Sequence, residues 1–468
     1  MAARGVVLLL LGAKFAAAQQ VPCGHGGCPS SGRTCPLRYN QCPPLGADGT
    51  AVGPKTHAAT CDPGSAGCKQ GEQCQAREVN PFMPLFHVMG NLTDGDGTQP
   101  VAVNDVSSVV QWMGVLHVFH QFGQCGWAHA LSHDGGVHWK NAHYPLTPDH
   151  DPKHTYDQCG CWDGSLTLTT GVNGGSPVIL YAPQTSVPAG RDDSSSTQSR
   201  AGSTSSDRPI MAVARPSDPS DPELRYWTKD AQNPVSGAVS DMGQIWANGG
   251  RWDGMSGGQM FSSNDSALHT WYKQPMAHGF PRGGSGGQWF QELPRTVDGQ
   301  LLPPGSPTHL VSTGNGQVYS AGWYSPSNET WKTSAENLLL DSGQLNGRGS
   351  YTWATLQCSG TPRRCLSVAW VVPAAAAGPG PKSPNSALSL VREVFWDTAG
   401  QGGLLKLPME ELGLLRNDTL YNGTVKLLGG TGELSTPALP AGAGDTIDLE
   451  ASFGLDSSAI SAVGPNLY

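Results

Sequence analysis

The segment NDVSSVVQWMGVLHVFHQ (104–121) sets two apolar, β-branched runs on either side of Met113-Gly114. That spacing predicts two antiparallel strands with a turn at the dipeptide. Similar short runs recur down the chain: SPVILYAP, PIMAVARP, THLVST, QVYSAGWY, SYTWATLQ and CLSVAWVV, each near Gly, Asn, Asp or Pro. Many short strands at frequent intervals predict a closed or radial all-β fold such as a propeller, over about 81–400. The polar run PAGRDDSSSTQSRAGSTSSDRP (188–209) and the run PAAAAGPGPKSPNS (373–386) break the pattern and read as flexible loops. The stretch 404–417, LLKLPMEELGLLRN, reads as a short helix or a tether.

Composition agrees with this picture. Gly (62) and Pro (37) are abundant and charged residues make up only 14%, a balance that suits turn-rich β architecture. The net charge of −9, with no basic cluster, argues against nucleic acid as a partner. The N-terminus MAARGVVLLLLGAKFAAAQQ has a basic residue, a short apolar run and an Ala-rich cleavage site. Residues 1–18 are therefore expected to be a secretory signal, too short to span a bilayer, and no later stretch suits a membrane span. Sequons at Asn91, Asn264, Asn328, Asn417 and Asn422 agree with export.

Seven of the twelve cysteines fall between Cys23 and Cys74. In an oxidising compartment that density over 19–80 reads as a disulfide-stapled module. An odd count leaves one to pair elsewhere, with Cys125, Cys159 or Cys161, or to stay free. No C-x-x-C occurs and the spacings are irregular, so zinc is not expected.

The chemistry-bearing residues follow the first hairpin. An Asn104-Asp105 pair opens an apolar strand, either as a turn or as a carboxylate placed for chemistry. GWAHALSHDGGVHW (126–139) and CGCWDGSLTL (159–168) follow it. In this order the blocks resemble glycoside hydrolase family 32, the invertases, inulinases and related fructosidases. Asn104, Asp105, Gly114, His117, Phe119 and Gln121 match its N-D-P-N-G to H-x-F-x-Q block. Trp127, His129, Ala130 and Ser132 match W-G-H-A-x-S, and Trp162, Asp163, Gly164 and Ser165 stand at its F-S-G-S turn. NPVSGAVSDMGQIW resembles the approach to the R-D-P block and places Asp241 on its Asp. RRCLSVAWV and LLKLPMEELGLLR resemble the later strand and tether.

The resemblance implies a five-bladed β-propeller followed by a β-sandwich, here truncated over 401–468 because few residues follow the tether. It implies retaining cleavage of β-fructofuranosidic bonds in sucrose or fructans, with no cofactor and no metal. Two carboxyl groups then stand about 5–5.5 Å apart, one attacking the anomeric carbon and the other protonating the leaving oxygen. By resemblance Asp105 is the nucleophile, Asp241 the transition-state stabiliser and Glu292 the acid/base. Asn104, Gln121, Trp127, Trp162 and Asp163 are the substrate-binding set. Asp105 lacks the family's following Pro-Asn-Gly, and Ser240 replaces the Arg before Asp241. Two registers are open for Glu292: Glu-Leu-Pro as Glu-Cys-Pro, or a downstream match that leaves GGSGGQ, without an acid, at the catalytic place. His117, His129 and His138 read as interior histidines. A sugar-binding propeller without turnover and an adhesive protein contacting polysaccharide through the cysteine-rich segment are the rival functions.

Overall fold

The computed structural model describes residues 4–5, 88, 103–122, 126–142, 144–147, 156–157, 160–168, 175–184, 211–235, 242–256, 259–281, 289–300, 302–312, 318–340, 344–345, 348–349, 351–360, 363–371, 387–398, 403–415 and 451–452. Most of the leader, the cysteine-rich segment and both low-complexity stretches lie outside these residues.

Five small antiparallel sheets follow one another along the chain, and they are the blades of a five-bladed β-propeller. Blade I is β2 (Val103–Trp112), β3 (Val115–Phe122), β4 (Gly126–Ser132) and β5 (Lys140–Asn141). Blade II is β6 (Gly160–Leu168), β7 (Pro177–Gln184), β8 (Ala212–Pro216) and β9 (Trp227–Lys229). Blade III is β10 (Ile245–Asn248), β11 (Arg251–Ser256), β12 (Gln259–Ser263) and β13 (Tyr272–Gln274). Blade IV is β14 (Phe290–Glu292), β15 (His309–Ser312), β16 (Val318–Ser325) and β17 (Thr330–Leu339). Blade V is β20 (Tyr351–Ser359), β21 (Arg364–Val371), β23 (Arg392–Asp397) and β24 (Gly403–Pro408), with β22 (Ala387–Leu388) beside β21. A small hairpin, β18 (Gln344–Leu345) with β19 (Arg348–Gly349), precedes blade V. In a separate unit β1 (Arg4–Gly5) pairs with β25 (Ala451–Ser452).

The period-2 pattern explains why the ring closes. Alternate residues of one strand feed the cores on its two sides. On β7, Ile179 and Tyr181 pack toward blade I, while Val178, Leu180 and Ala182 pack toward blade III. The same division gives an apolar core between blades III and IV around Trp246, Phe280 and Phe290, and another between IV and V around Trp289, Leu310 and Leu356. Val106, Val109 and Val118 of blade I meet Leu366, Val368 and Val391 of blade V, which closes the circle. Each fully buried aliphatic side chain contributes roughly 1.5–3 kcal/mol, so no blade stands without its neighbours.

The expected turn at Met113-Gly114 is present. Both residues have positive φ (47° and 85°), the backbone twist that a two-residue hairpin needs. β24 is the outer strand of blade V, so the propeller runs to Pro408 rather than ending at 400. The expected helix or tether is a strand followed by a 3-10 helix, Glu410–Leu415. Arg364 fastens it, with Nη1 2.5 Å from Glu411 and Nη2 2.6 Å from Glu393. Past that helix only Ala451–Ser452 is described, so the truncated sandwich lies outside the described residues.

Candidate functional site

The first strand of each blade is its innermost, and all five run the same way along the axis. The segments that enter these strands therefore gather at one end, the mouth. Two of those entries carry an irregularity of the same kind. On β2 the ladder steps from Val103↔Phe122 to Val106↔His120, so Asn104 and Asp105 stand against the single residue Gln121. On β6 it steps from Cys161↔Pro183 to Gly164↔Tyr181, so Trp162 and Asp163 stand against Ala182. Such bulges bend the strand and re-aim its side chains. In both, the aspartate is the second extra residue.

The two bulges flank the boundary between blades I and II, and β2 carries a second register shift, between Val106 and Ser108, that β6 lacks. Ser108 Oγ accepts the Leu166 N–H at 2.8 Å across the blade boundary, and each aspartate stands three residues before its end of that bond. Gln121, opposite Asp105, donates its amide Nε2 to Asp163 Oδ1. Trp127 Nε1 donates to Trp162 O at 2.8 Å. Blade I thus reaches across with two side chains to hold the bulge of blade II.

Gly164 is required there for a steric reason. A Cβ at this position would sit 2.0 Å from Leu180 O and 2.7 Å from Tyr181 Cα, both backbone atoms. Behind the bulge lies a buried polar group that sequence reasoning missed. Asp157, fully buried, accepts from Lys229 Nζ at 2.5 Å and Tyr181 Oη at 2.9 Å, with Cys161 Sγ at 3.5 Å. Lys229 Nζ also donates to Thr147 O at 2.5 Å. Burial works against the Lys229 charge, but Cys161 and Asp157 beside it outweigh that and raise its pKa. Burial pushes the Tyr181 phenol well above its usual range. A lone Asp, Lys and Tyr spread over more than seventy residues leave no local signal.

The structure departs from several expectations. Glu292 does not face Asp105. The preceding residue, Gln291, accepts the Cys358 N–H through Oε1 at 3.1 Å, and the next residue, Ser359, accepts the Gln111 N–H at 2.8 Å. Gln111 lies six residues beyond Asp105 on β2, about 20 Å of extended strand. Glu292 therefore sits at the end of the channel opposite the mouth. Its carboxylate is 70% exposed and 3.5 Å from Arg363, in the turn joining β20 to β21. Trp127, expected in the substrate-binding set, is fully buried and holds the Trp162 backbone instead. Gln121, 2% exposed, likewise serves the bulge. Asn104, Asp105, Trp162 and Asp163 are half-buried at the mouth. Asp241 lies outside the described residues; the chain resumes at Met242, just ahead of β10.

His117 and His129 are interior, with His117 Nδ1 2.8 Å from His129 Nε2. His138 is instead a surface residue, 2.6 Å from Asp134. Burial drives the pKa of both His117 and His120 down to about 4. Both are neutral at ordinary pH and are poor candidates for acid/base work there. Among the described residues no group of three or more His, Cys, Asp or Glu is placed to hold a metal ion. Cys161 carries no disulfide, whereas Cys358 and Cys365 form one directly across β20 and β21.

Residues 98–408 match the model of the glycosyl hydrolases family 32 N-terminal domain. An insoluble β-fructofuranosidase isoenzyme of Arabidopsis thaliana is 24% identical over 356 residues, covering 68% of this chain and 59% of its own. One from Daucus carota is 24% identical over 368 residues, covering 71% of this chain and 56% of its own. This chain thus spans less than two thirds of the length of these curated relatives. Among solved structures, fructan 1-exohydrolase IIa from Cichorium intybus shares the fold, with a TM-score of 0.51 at 20% identity, over 72% of this chain and 63% of its own.

Proposed function

This chain belongs to glycosyl hydrolase family 32, and we propose that it is a secreted β-fructofuranosidase acting on sucrose or fructans. One observation carries the reading: Asp105 stands in a strand bulge at the mouth, opposite Gln121, whose amide donates to a second aspartate, Asp163, in the neighbouring blade's bulge. A carboxylate on a rigid strand is positioned to attack the anomeric carbon of a fructosyl ring and form the covalent intermediate of a retaining mechanism. The same intermediate serves hydrolysis and fructosyl transfer, which differ only in the acceptor.

Secretion is supported by two features of the folded part. The sequons at Asn264 and Asn328 lie on exposed turns, open to a glycan. The Cys358–Cys365 disulfide fits an oxidising compartment.

The test is release of fructose from sucrose and from 1-kestose by the full chain. Wild type is expected to release it, and Asp105→Asn to fold with an unchanged melting curve and fall to the background rate. Unchanged turnover in Asp105→Asn, or an inert wild type, overturns the reading. A sugar-binding propeller without turnover is the second reading, favoured by the place of Glu292 at the wrong end of the channel. Binding of 1-kestose by wild type without fructose release would establish it.

A further inference from the structure

The run CSGTPRRC (358–365) begins and ends on cysteine, at the rim opposite the mouth, and the sugar chemistry uses neither sulfur. Cys358 and Cys365 stand directly across β20 and β21 and are joined by a disulfide. The pairs on either side of them, Gln357↔Leu366 and Ser359↔Arg364, belong to the same ladder. A disulfide stabilises chiefly by closing a loop of the unfolded chain, and a short loop gives the smallest gain. This bond spans a sequence separation of 7, inside a hairpin that the ladder already closes. Its two ends also differ in access. Cys365 is 5% exposed in the core between blades IV and V, whereas Cys358 is half-buried at the rim.

We propose that the Cys358–Cys365 disulfide is a switch that small thiols open and close in the folded protein, and that it governs a junction of four blades. The Cys358 N–H donates to Gln291 Oε1 of blade IV at 3.1 Å. Gln291 donates in turn to Gln244 Oε1 at 2.5 Å, at the entry to blade III. Gln244 donates back to Leu356 O of blade V at 3.0 Å. The residue after Cys358, Ser359, accepts the Gln111 N–H of blade I at 2.8 Å. All these bonds hang on residues 356–359 of β20, whose end the disulfide clamps to β21. With the clamp open the end of the hairpin frays, and the bonds from Cys358 to Gln291 and from Gln111 to Ser359 are the first to loosen.

In the first step the thiolate of a small thiol attacks Cys358 Sγ, the more accessible sulfur, and the bond to Cys365 Sγ breaks. Cys365 departs with the electron pair and takes a proton. In the second step another small thiolate attacks the mixed disulfide at the small molecule's sulfur. Cys358 is released and takes a proton, and the two small molecules leave as their own disulfide. The protein gains two electrons and two protons, and the thiols lose them. The way back is short, because the flanking ladder keeps the two strands paired and their cysteines, with Cα atoms 3.9 Å apart in the oxidised form, side by side. A disulfide that is reachable at one sulfur and little needed for closure is of the labile kind.

The experiment exposes the folded full chain to rising concentrations of reduced glutathione and then blocks free thiols with iodoacetamide. Peptide-level mass spectrometry reads Cys358 and Cys365 apart from the other cysteines, and circular dichroism follows the fold. Both are expected to be labelled together in millimolar glutathione with the spectrum unchanged, and to return to the disulfide in oxidised glutathione. Amide hydrogen exchange at Gln111 and Cys358 should then quicken by about tenfold or more, while that at Leu180 in blade II stays as it was. The double variant Cys358→Ser with Cys365→Ser should show the fast exchange with or without thiol. Labelling that appears only where the spectrum reports unfolding overturns the proposal and makes the bond a structural staple, as does a double variant that fails to fold. Labelling of the folded chain with unchanged exchange at Gln111 and Cys358 overturns it as well, since the bond would then govern nothing. No readout here needs turnover, so the switch stands or falls apart from the β-fructofuranosidase reading above.

Discussion

Asp163 and Glu292 are both carboxylates on inner strands, each next to a motif that points to sugar chemistry, and their surroundings differ in every respect that matters. Asp163 lies in a bulge at the mouth, bonded by Gln121, with Trp127 on its neighbour's carbonyl and a buried ion pair behind it. Glu292 ends a three-residue strand at the opposite rim, mostly in solvent, with Arg363 at 3.5 Å. A catalytic carboxylate has to be held within a fraction of an ångström, which packing and a second layer of hydrogen bonds supply and an exposed side chain lacks. The difference lies in level along the strand, and letters in a motif do not state level.

The largest effect should come from the ion pair behind the mouth. Lys229→Met removes the cation 2.5 Å from the fully buried Asp157 carboxylate, and is expected to cost about 3–5 kcal/mol in urea unfolding. Asp157→Asn paired with Lys229→Met should recover part of that loss, since no lone charge then remains. A loss under about 1 kcal/mol would show that the group behind Asp163 is no firmer than the one at Glu292.

Acid should separate the two regions as well. His120, opposite Val106 beside the bulge, and His117, further along β3 opposite Val110, have folded pKa values near 4 against an ordinary 6.5. The folded state therefore binds fewer protons than the unfolded state between those values. Their contribution is intact above pH 6.5 and is lost as pH falls through 4, on the order of 3 kcal/mol for each histidine. Urea midpoints for wild type between pH 7 and pH 4 should show this fall, and His120→Asn should flatten it. An unaltered slope in His120→Asn would remove that histidine from the account.

Most of the fold was legible because it rests on period-2 alternation and on turn residues. The hairpin at Met113-Gly114 and the apolar strands around Ile179 in blade II and Val368 in blade V follow from that pattern alone. The block order also brought Asp105, Gln121 and Trp162 to one end, through the two hairpins they open or close. What stayed hidden depends on register. Whether Glu292 or its neighbour meets the channel, and at what depth, is set by a short strand between long loops, where sequence spacing constrains little. Trp127 was placed in the substrate-binding set through its motif; it is fully buried and turned inward. The Asp157–Lys229–Tyr181 group joins residues that no local pattern links.

Gly164 gives a middle-sized test on the mouth side. Its missing Cβ lets β6 close on β7, where Leu180 O would otherwise be 2.0 Å away. Neither backbone atom in the way can rotate aside as a side chain would. Gly164→Ala should then destabilise by about 1–3 kcal/mol and push the Trp162–Asp163 bulge off its position. Turnover of sucrose should fall in the variant even at temperatures where it remains folded. Full activity with lowered stability would mean that the bulge tolerates a shift and that the mouth is less exacting than its packing.

The smallest effect belongs to the far rim. Glu292 and Arg363 form one contact, at 3.5 Å, with both side chains substantially in water, 70% and 38% exposed. Solvent screening and the entropy of two long side chains leave such a pair with little net attraction. In a double-mutant cycle, Glu292→Gln with Arg363→Met should show a coupling under about 1 kcal/mol, and less still in high salt. The same cycle at Asp157 and Lys229 should give a coupling several times larger, because the Asp157 carboxylate is fully buried and Lys229 is only 19% exposed. Sucrose turnover should be indifferent to the first cycle and sensitive to the second. A strong coupling between Glu292 and Arg363, with loss of turnover on breaking it, would move the chemistry to that rim.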